Sequence, residues 1–167
     1  MSSTYIWSDL HLGHQNIIKY CNRPFSTTDE MNNKILSNWK NMVKDKDEIW
    51  NLGDVAMCEM KKVENLKPII TSMPGHKILI LGNHDYTDLN YWKEVGFHEV
   101  YKYPIIYNKW FILSHDIVFL NEHIPYKNIH GHTHDKSMDS PQYVNVSLEK
   151  INYQPVDLDK LMIDILI

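Results

Sequence analysis

Short apolar runs separated by polar, glycine-containing segments make up most of this chain, and their periodicity changes along it. Residues 4–7, Thr-Tyr-Ile-Trp, predict a first short strand. Residues 14–28 read as a loop or short helix followed by a proline-containing loop through Cys21, Arg23 and Phe25. From Asp29, Met31, Ile35, Trp39, Met42 and Val43 recur at helical spacing, with Thr28 or Asp29 as the cap. Residues 48–52 return to strand. Residues 59–73 read as helical through Val63, Leu66 and Ile70, with Pro68 disturbing the middle, and Pro74-Gly75 is a turn. Residues 77–81, Lys-Ile-Leu-Ile-Leu, have the continuous apolar character of a strand buried on both faces. A helix over residues 88–95 follows.

After Gly96 the pattern becomes strand-rich. Residues 100–107 and 110–114 flank Asn108-Lys109 as the two arms of a hairpin. Residues 128–130, 143–146 and 152–156 predict further strands, and a terminal helix runs from Asp157. Alternating strands and helices followed by a strand-rich half predict an α/β fold: a two-layered β core sandwiched by helices, in one domain over residues 1–167.

Composition narrows this picture. Hydrophobic residues at 43% and charged residues at 23% suit a globular domain with a buried core. No apolar run approaches the roughly 20 residues that cross a bilayer, so no membrane partner is expected. The first residues lack the basic and long apolar parts of a signal peptide, and Cys21 and Cys58 form no Cys-x-x-Cys pair. A reducing, cytoplasmic setting is the expectation, in a bacterium or a phage-infected host cell. The formal net charge of −4 argues against a strong nucleic-acid footprint, although bound divalent ions would make a pocket locally positive.

Ten histidines is a high count, and five of them fall in an ordered series of short signatures. These are Ser8-Asp9-Leu10-His11, Leu52-Gly53-Asp54, Leu81-Gly82-Asn83-His84-Asp85, Ser114-His115 and Gly131-His132-Thr133-His134. Asp9 and His11 would share a face if the strand continued through them, as would His132 and His134 on an extended segment. Asp54 follows a glycine that permits a sharp turn, and its two oxygens can bridge two cations. Asn83 offers a neutral oxygen. His84, if oriented by Asp85, can be held protonated and donate to a leaving oxygen. Singly, each signature has a plain reading: a Gly-Asp turn, an Asn-His-Asp helix cap, a packed histidine. Together, two Asp, one Asn and four His have the composition of a dinuclear metal site, with His84 left over for chemistry.

The ordered series resembles the calcineurin-like metallophosphoesterase superfamily, in particular its compact bacterial and phage members, and every signature is intact from Asp9 to His134. The resemblance implies a four-layer αββα sandwich, two mixed β-sheets flanked by helices. It implies a first ion on Asp9, His11, Asp54 and His134, and a second on Asp54, Asn83, His115 and His132. His84 becomes proton donor or transition-state stabiliser, supported by Asp85. Mn²⁺ is the favoured ion, with Fe²⁺, Zn²⁺ or Ni²⁺ as alternatives. The implied reaction is hydrolysis of a phosphate ester, most of all a small or nucleotide-type phosphodiester, by in-line attack of a hydroxide bridging the two ions.

Outside the signatures, Arg23, the single arginine, reads either as a bidentate phosphate clamp or as a surface ion pair. His14 reads either as a pocket wall or as a cap on the next helix. Tyr86 stands where the protein-phosphatase branch carries arginine, which argues against that activity. A nuclease of the same superfamily is the alternative function, and a catalytically silent protein-binding scaffold ranks behind it because no ligand is missing. Natural substrate and oligomeric state stay open.

Overall fold

Strand alternation sorts the apolar residues of this chain onto two faces, and that sorting builds the layers. The computed structural model describes residues 2–166. Strands β1 (Thr4–Trp7), β2 (Glu48–Asn51), β3 (His76–Ile80) and β4 (Glu99–Tyr101) run parallel, and β9 (Val156–Asp157) pairs antiparallel with β1. The order across this sheet is β4-β3-β2-β1-β9. A second sheet contains β5 (Ile105–Tyr107), β6 (Phe111–Ser114), β7 (Lys127–His130) and β8 (Tyr143–Asn145); β5 is antiparallel to β6 and the others are parallel. The expected pair of mixed sheets with flanking helices is therefore present.

Trp7, Ile49 and Leu79 point outward from the first sheet into a cluster closed by helices. These are α1 (Gln15–Tyr20), α2 (Thr28–Met42), α3 (Val63–Ser72) and α4 (Leu89–Val95), contributing Ile17, Met31, Ile35, Trp39, Leu66, Ile70 and Trp92. Ile6, Trp50, Ile78 and Ile80 point the other way and meet Phe111, Leu113 and Ile129 of the second sheet, with Leu158 and Met162 of α5 (Leu158–Leu166). This is the period-two alternation of a sheet buried on both faces. The outer face of the second sheet is mixed, with Asn128 beside Ile112 and Ile106. Asn128, fully buried, accepts from the Val118 amide and donates to the Ile112 carbonyl and Ser114 Oγ, so the irregular segment 116–126 covers that face through hydrogen bonds.

Several boundaries differ from the sequence expectation. The α2 cap is Thr27, whose hydroxyl accepts from the Glu30 amide, and Pro68 is accommodated inside α3. Residues 100–107 do not form one hairpin arm: β4 belongs to the first sheet and β5 to the second. Pro104 lies in the crossing between them and has no amide hydrogen to extend a ladder. The hairpin turn at Asn108-Lys109 is as expected, with both residues at positive φ. Residues 152–155 form a turn rather than a strand, with Asn152 and Tyr153 at positive φ, and the last helix starts at Leu158. Among the described residues no helix is long and apolar enough to cross a membrane.

Candidate metal centre

Each of the five signatures lies at the carboxyl end of a strand: β1, β2, β3, β6 and β7. Asp9 and His11 do not continue β1. The strand ends at Trp7, and both residues take left-handed φ, 61° and 49°. Asp54, His132 and His134 do the same at 55°, 66° and 51°. The shared-face expectation for both His-containing pairs is thus replaced by a tighter geometry, in which consecutive reversals turn the side chains inward. Such backbone costs of order 1–3 kcal/mol per residue. It is held here by hydrogen bonds between signatures, from the Asp9 amide to the Gly53 carbonyl and from the His11 amide to the Asp54 carbonyl, at 3.1 and 2.9 Å. Gly131 is needed for close approach, since a Cβ there would run into the Ser8 side chain and Asp9 Oδ2.

Asp9 is fully buried, and its Oδ2 accepts from the His132 amide and the Ser147 hydroxyl, both at 2.9 Å. Among the described residues its Oδ1 has no hydrogen-bond partner, and neither has His11 Nε2, 3.8 Å away. Two unpartnered buried acceptors facing each other carry a large desolvation cost unless a cation sits between them. Asp9, His11 and His134 form one group whose ligand atoms converge; Asp9, Asp54 and His115 form another. Asp54 Oδ1 accepts from the His84 amide, while Oδ2 lies 3.5 Å from His11 Nε2 and 3.5 Å from His115 Nε2.

On the other side, Asn83 Oδ1 lies 2.9 Å from both His115 Nε2 and His132 Nδ1, which are 3.2 Å apart. His115 donates through Nδ1 to the Leu52 carbonyl at 2.7 Å, which leaves the Nε2 lone pair aimed into this cluster. Three electron-rich atoms so close together suit a bound cation, and the donor set of carboxylate, amide oxygen and imidazole fits a divalent metal.

The sequence profile of the calcineurin-like phosphoesterases matches residues 3–164. The chain belongs to this family. Calcineurin-like phosphoesterases use divalent metals, and the clusters above are this member's candidate ligands. An uncharacterised protein of Methanocaldococcus jannaschii is 36% identical over 171 residues, covering 97% of this chain and 90% of that protein. The gene 66 protein of Mycobacterium phage L5 is 35% identical over 85 residues, 51% of this chain and 41% of its own length. Among solved structures, a protein of unknown function from Aquifex aeolicus superposes over the whole of both chains, with TM-score 0.74 and 28% identity.

Within this phosphoesterase fold His84 is exposed, its ring centroid 5.8 Å from that of His11, and among the described residues its ring makes no hydrogen bond. Asp85 does not orient it. The Asp85 carboxylate is buried and accepts from the amides of Asp54, Val55 and Gly82, locking two signatures together. Burial, opposed by those amides and reinforced by the nearby Asp54 charge, pushes Asp85 up to about 6. The loop is also held by Lys61, which donates to the His84 carbonyl and lies 4.2 Å from the Tyr86 ring centroid.

Arg23 is not a substrate clamp in this geometry. Its side chain is fully buried, with Nε on Glu149 Oε1 at 2.8 Å, Nη1 on the Leu10 carbonyl and Nη2 on the Asp9 carbonyl. It fastens the first signature from beneath. His14 occupies the cap position of α1 without a side-chain cap bond, and its ring lies 5.3 Å from that of His11, on the site side. Tyr86 is half exposed and edge-on to Tyr91.

Glu149 escaped the sequence reading. Its Oε1 accepts from His134 Nδ1 at 3.1 Å, which orients that ring and leaves Nε2 for a metal. Burial alone would lower the His134 pKa, but the Glu149 hydrogen bond and the Asp9 and Glu149 charges outweigh it, and the net shift is upward. Burial likewise works to raise Glu149, and His134 and Arg23 bring it below its usual range. For His11, burial and then the Arg23 charge drive the pKa far down, so the ring is neutral and able to ligate. Ser147, Asn145 and Asp116 were also missed. Asn145 pins the last signature by donating to Thr133 Oγ1 and to the His134 and Lys136 carbonyls. Asp116 Oδ1 lies 3.5 Å from His132 Nδ1. No spacing rule links these residues to the signatures they support.

Proposed function

We propose that this protein is a phosphoric ester hydrolase with a dinuclear divalent-metal centre, acting on a small or nucleotide-type phosphodiester. The observation that carries the reading is Asp54 Oδ2, equidistant at 3.5 Å from His11 Nε2 and His115 Nε2, each belonging to a separate ligand cluster. Asp9, His11, Asp54 and His134 would hold one ion, and Asp54, Asn83, His115 and His132 the other, with Mn²⁺ favoured. When bound, such ions supply Lewis acidity, lowering the pKa of water and polarising phosphoryl oxygens. Ser147 and the His132 amide hold Asp9, the Leu52 carbonyl orients His115, and Glu149 orients His134, so the ligands are organised in advance. The exposed His84 ring, 5.8 Å from that of His11 and without a hydrogen bond among the described residues, supports reading it as the group that gives a proton to the leaving oxygen. A cytoplasmic setting fits the two free cysteines.

The test is hydrolysis of bis-p-nitrophenyl phosphate by Mn²⁺-supplemented protein, with metal content measured in parallel. The His84→Ala variant is expected to lose roughly a hundredfold or more in rate while still binding metal. Full activity in that variant would remove the role assigned to His84. A wild type that neither takes up metal nor hydrolyses the diester would favour the scaffold reading instead.

A further inference from the structure

A cavity of about 330 Å³ opens directly off the proposed metal centre. Its wall is lined by Tyr20 and Cys21, at the end of α1, and by the loop 132–136. His132 and His134 belong both to this wall and to the proposed ligand sets, so a phosphoryl group at the ions would lie at the mouth of the cavity. A larger cavity, about 480 Å³ between α2 and α3, touches none of the candidate ligands.

Two features give the smaller cavity a chemical character. Tyr20 is 72% exposed, and its ring meets His14 edge-on at 6.4 Å. An isolated surface tyrosine is ordinary, but this one borders a cavity that leads to the centre. The loop is held by hydrogen bonds: Asn145 donates to Thr133 Oγ1 and to the His134 and Lys136 carbonyls, and the Lys136 amide donates to the Thr133 carbonyl. On that loop Asp135 and Lys136 are both exposed, offering an acceptor and a donor. An aromatic ring and a hydrogen-bonding edge lining one cavity suit a flat heteroaromatic ring with polar groups on its rim, whereas an alkyl ester would use neither.

We infer that this cavity is a nucleoside subsite, in which Tyr20 stacks the base of a nucleotide phosphodiester and Asp135 and Lys136 meet its polar edge. The inference rests on the phosphodiesterase reading above. Tyr20 is then a specificity residue: it selects which diester is hydrolysed and touches no reacting atom.

The test compares kcat/KM of the Mn²⁺-loaded protein for thymidine 5′-(p-nitrophenyl phosphate) and ethyl p-nitrophenyl phosphate, which share a leaving group and differ in the nucleoside. The wild type should prefer the thymidine diester by about tenfold, Tyr20→Leu should lose most of that preference, and Tyr20→Phe should keep it. A wild-type ratio near one, or a preference undiminished in Tyr20→Leu, overturns the subsite. Binding of thymidine 5′-monophosphate, ribose 5-phosphate and inorganic phosphate to the metal-loaded protein provides the independent arm. The nucleotide should bind about tenfold more tightly than either other probe, with the advantage lost in Tyr20→Leu. Equal binding of ribose 5-phosphate and the nucleotide overturns the base assignment. Tight, Tyr20-dependent nucleotide binding without hydrolysis of either diester would support the subsite and sink the hydrolase reading, so the two failures are distinguishable.

Discussion

The Arg23 guanidinium faces inward, onto two carbonyls of the first signature and the carboxylate of Glu149, 126 residues away in sequence. A single arginine in a loop near Asp9 gives equal reason to expect a phosphate clamp or a surface ion pair, because the sequence carries no sign that it is buried as a strut. The structure decides for the strut. Arg23→Lys keeps the charge but offers a single nitrogen, which cannot span the acceptors now met separately by Nε, Nη1 and Nη2, and is expected to cost about 2–3 kcal/mol. Urea unfolding with chelator present measures that cost, and calorimetric Mn²⁺ titration should show weaker binding as Asp9 and His134 lose support. A raised KM with unchanged unfolding would restore the clamp. Asp85 is a similar case: its place after Asn83-His84 was legible, whereas its bonds to the amides of Asp54, Val55 and Gly82 depend on β2 and β3 lying side by side.

At the level of the elements, apolar periodicity located most strands and helices, and the signatures fell at strand ends as that pattern implied. Periodicity does not report which sheet a strand joins. The break between β4 and β5 is therefore invisible in residues 100–107, where Pro104 is the one local sign. Nor does it report the left-handed backbone at Asp9, His11, Asp54, His132 and His134, which non-glycine residues adopt only when their surroundings hold them there. The β7 signature depends on Gly131 for its approach to Ser8 and Asp9. Gly131→Ala should separate that loop from the first signature and lower Mn²⁺ affinity by at least about tenfold, even though alanine is sterically small. Metal affinity equal to the wild type, with the fold intact by circular dichroism, would show that the loop can yield.

Over the whole molecule, the centre lies where the two sheets present their carboxyl ends to each other. Asp9, His11, Asp54 and Asn83 come from the first sheet and His115, His132 and His134 from the second. Two buried carboxylates then lie close together, and burial, opposed by His115 and reinforced by Asp9, raises the Asp54 pKa. A protein built this way gains stability when cations enter. Mn²⁺ at about a hundred times its dissociation constant should add roughly 2.7 kcal/mol per independent site, read as a rise in melting temperature. Asp54→Asn should abolish most of that rise, because the proposed function puts this residue in both ligand sets; a full rise in the variant would remove the proposed bridging role. The sequence by itself determined the identity and order of the candidate ligands, the strands that deliver them and the family, since short motifs and period-two alternation are local properties. Only the tertiary structure decided how those ligands are held, through Arg23, Glu149, Ser147 and Asn145, and where the Tyr20 cavity lies. Those contacts join residues far apart in the chain, and no local pattern records which distant side chain will close over a loop.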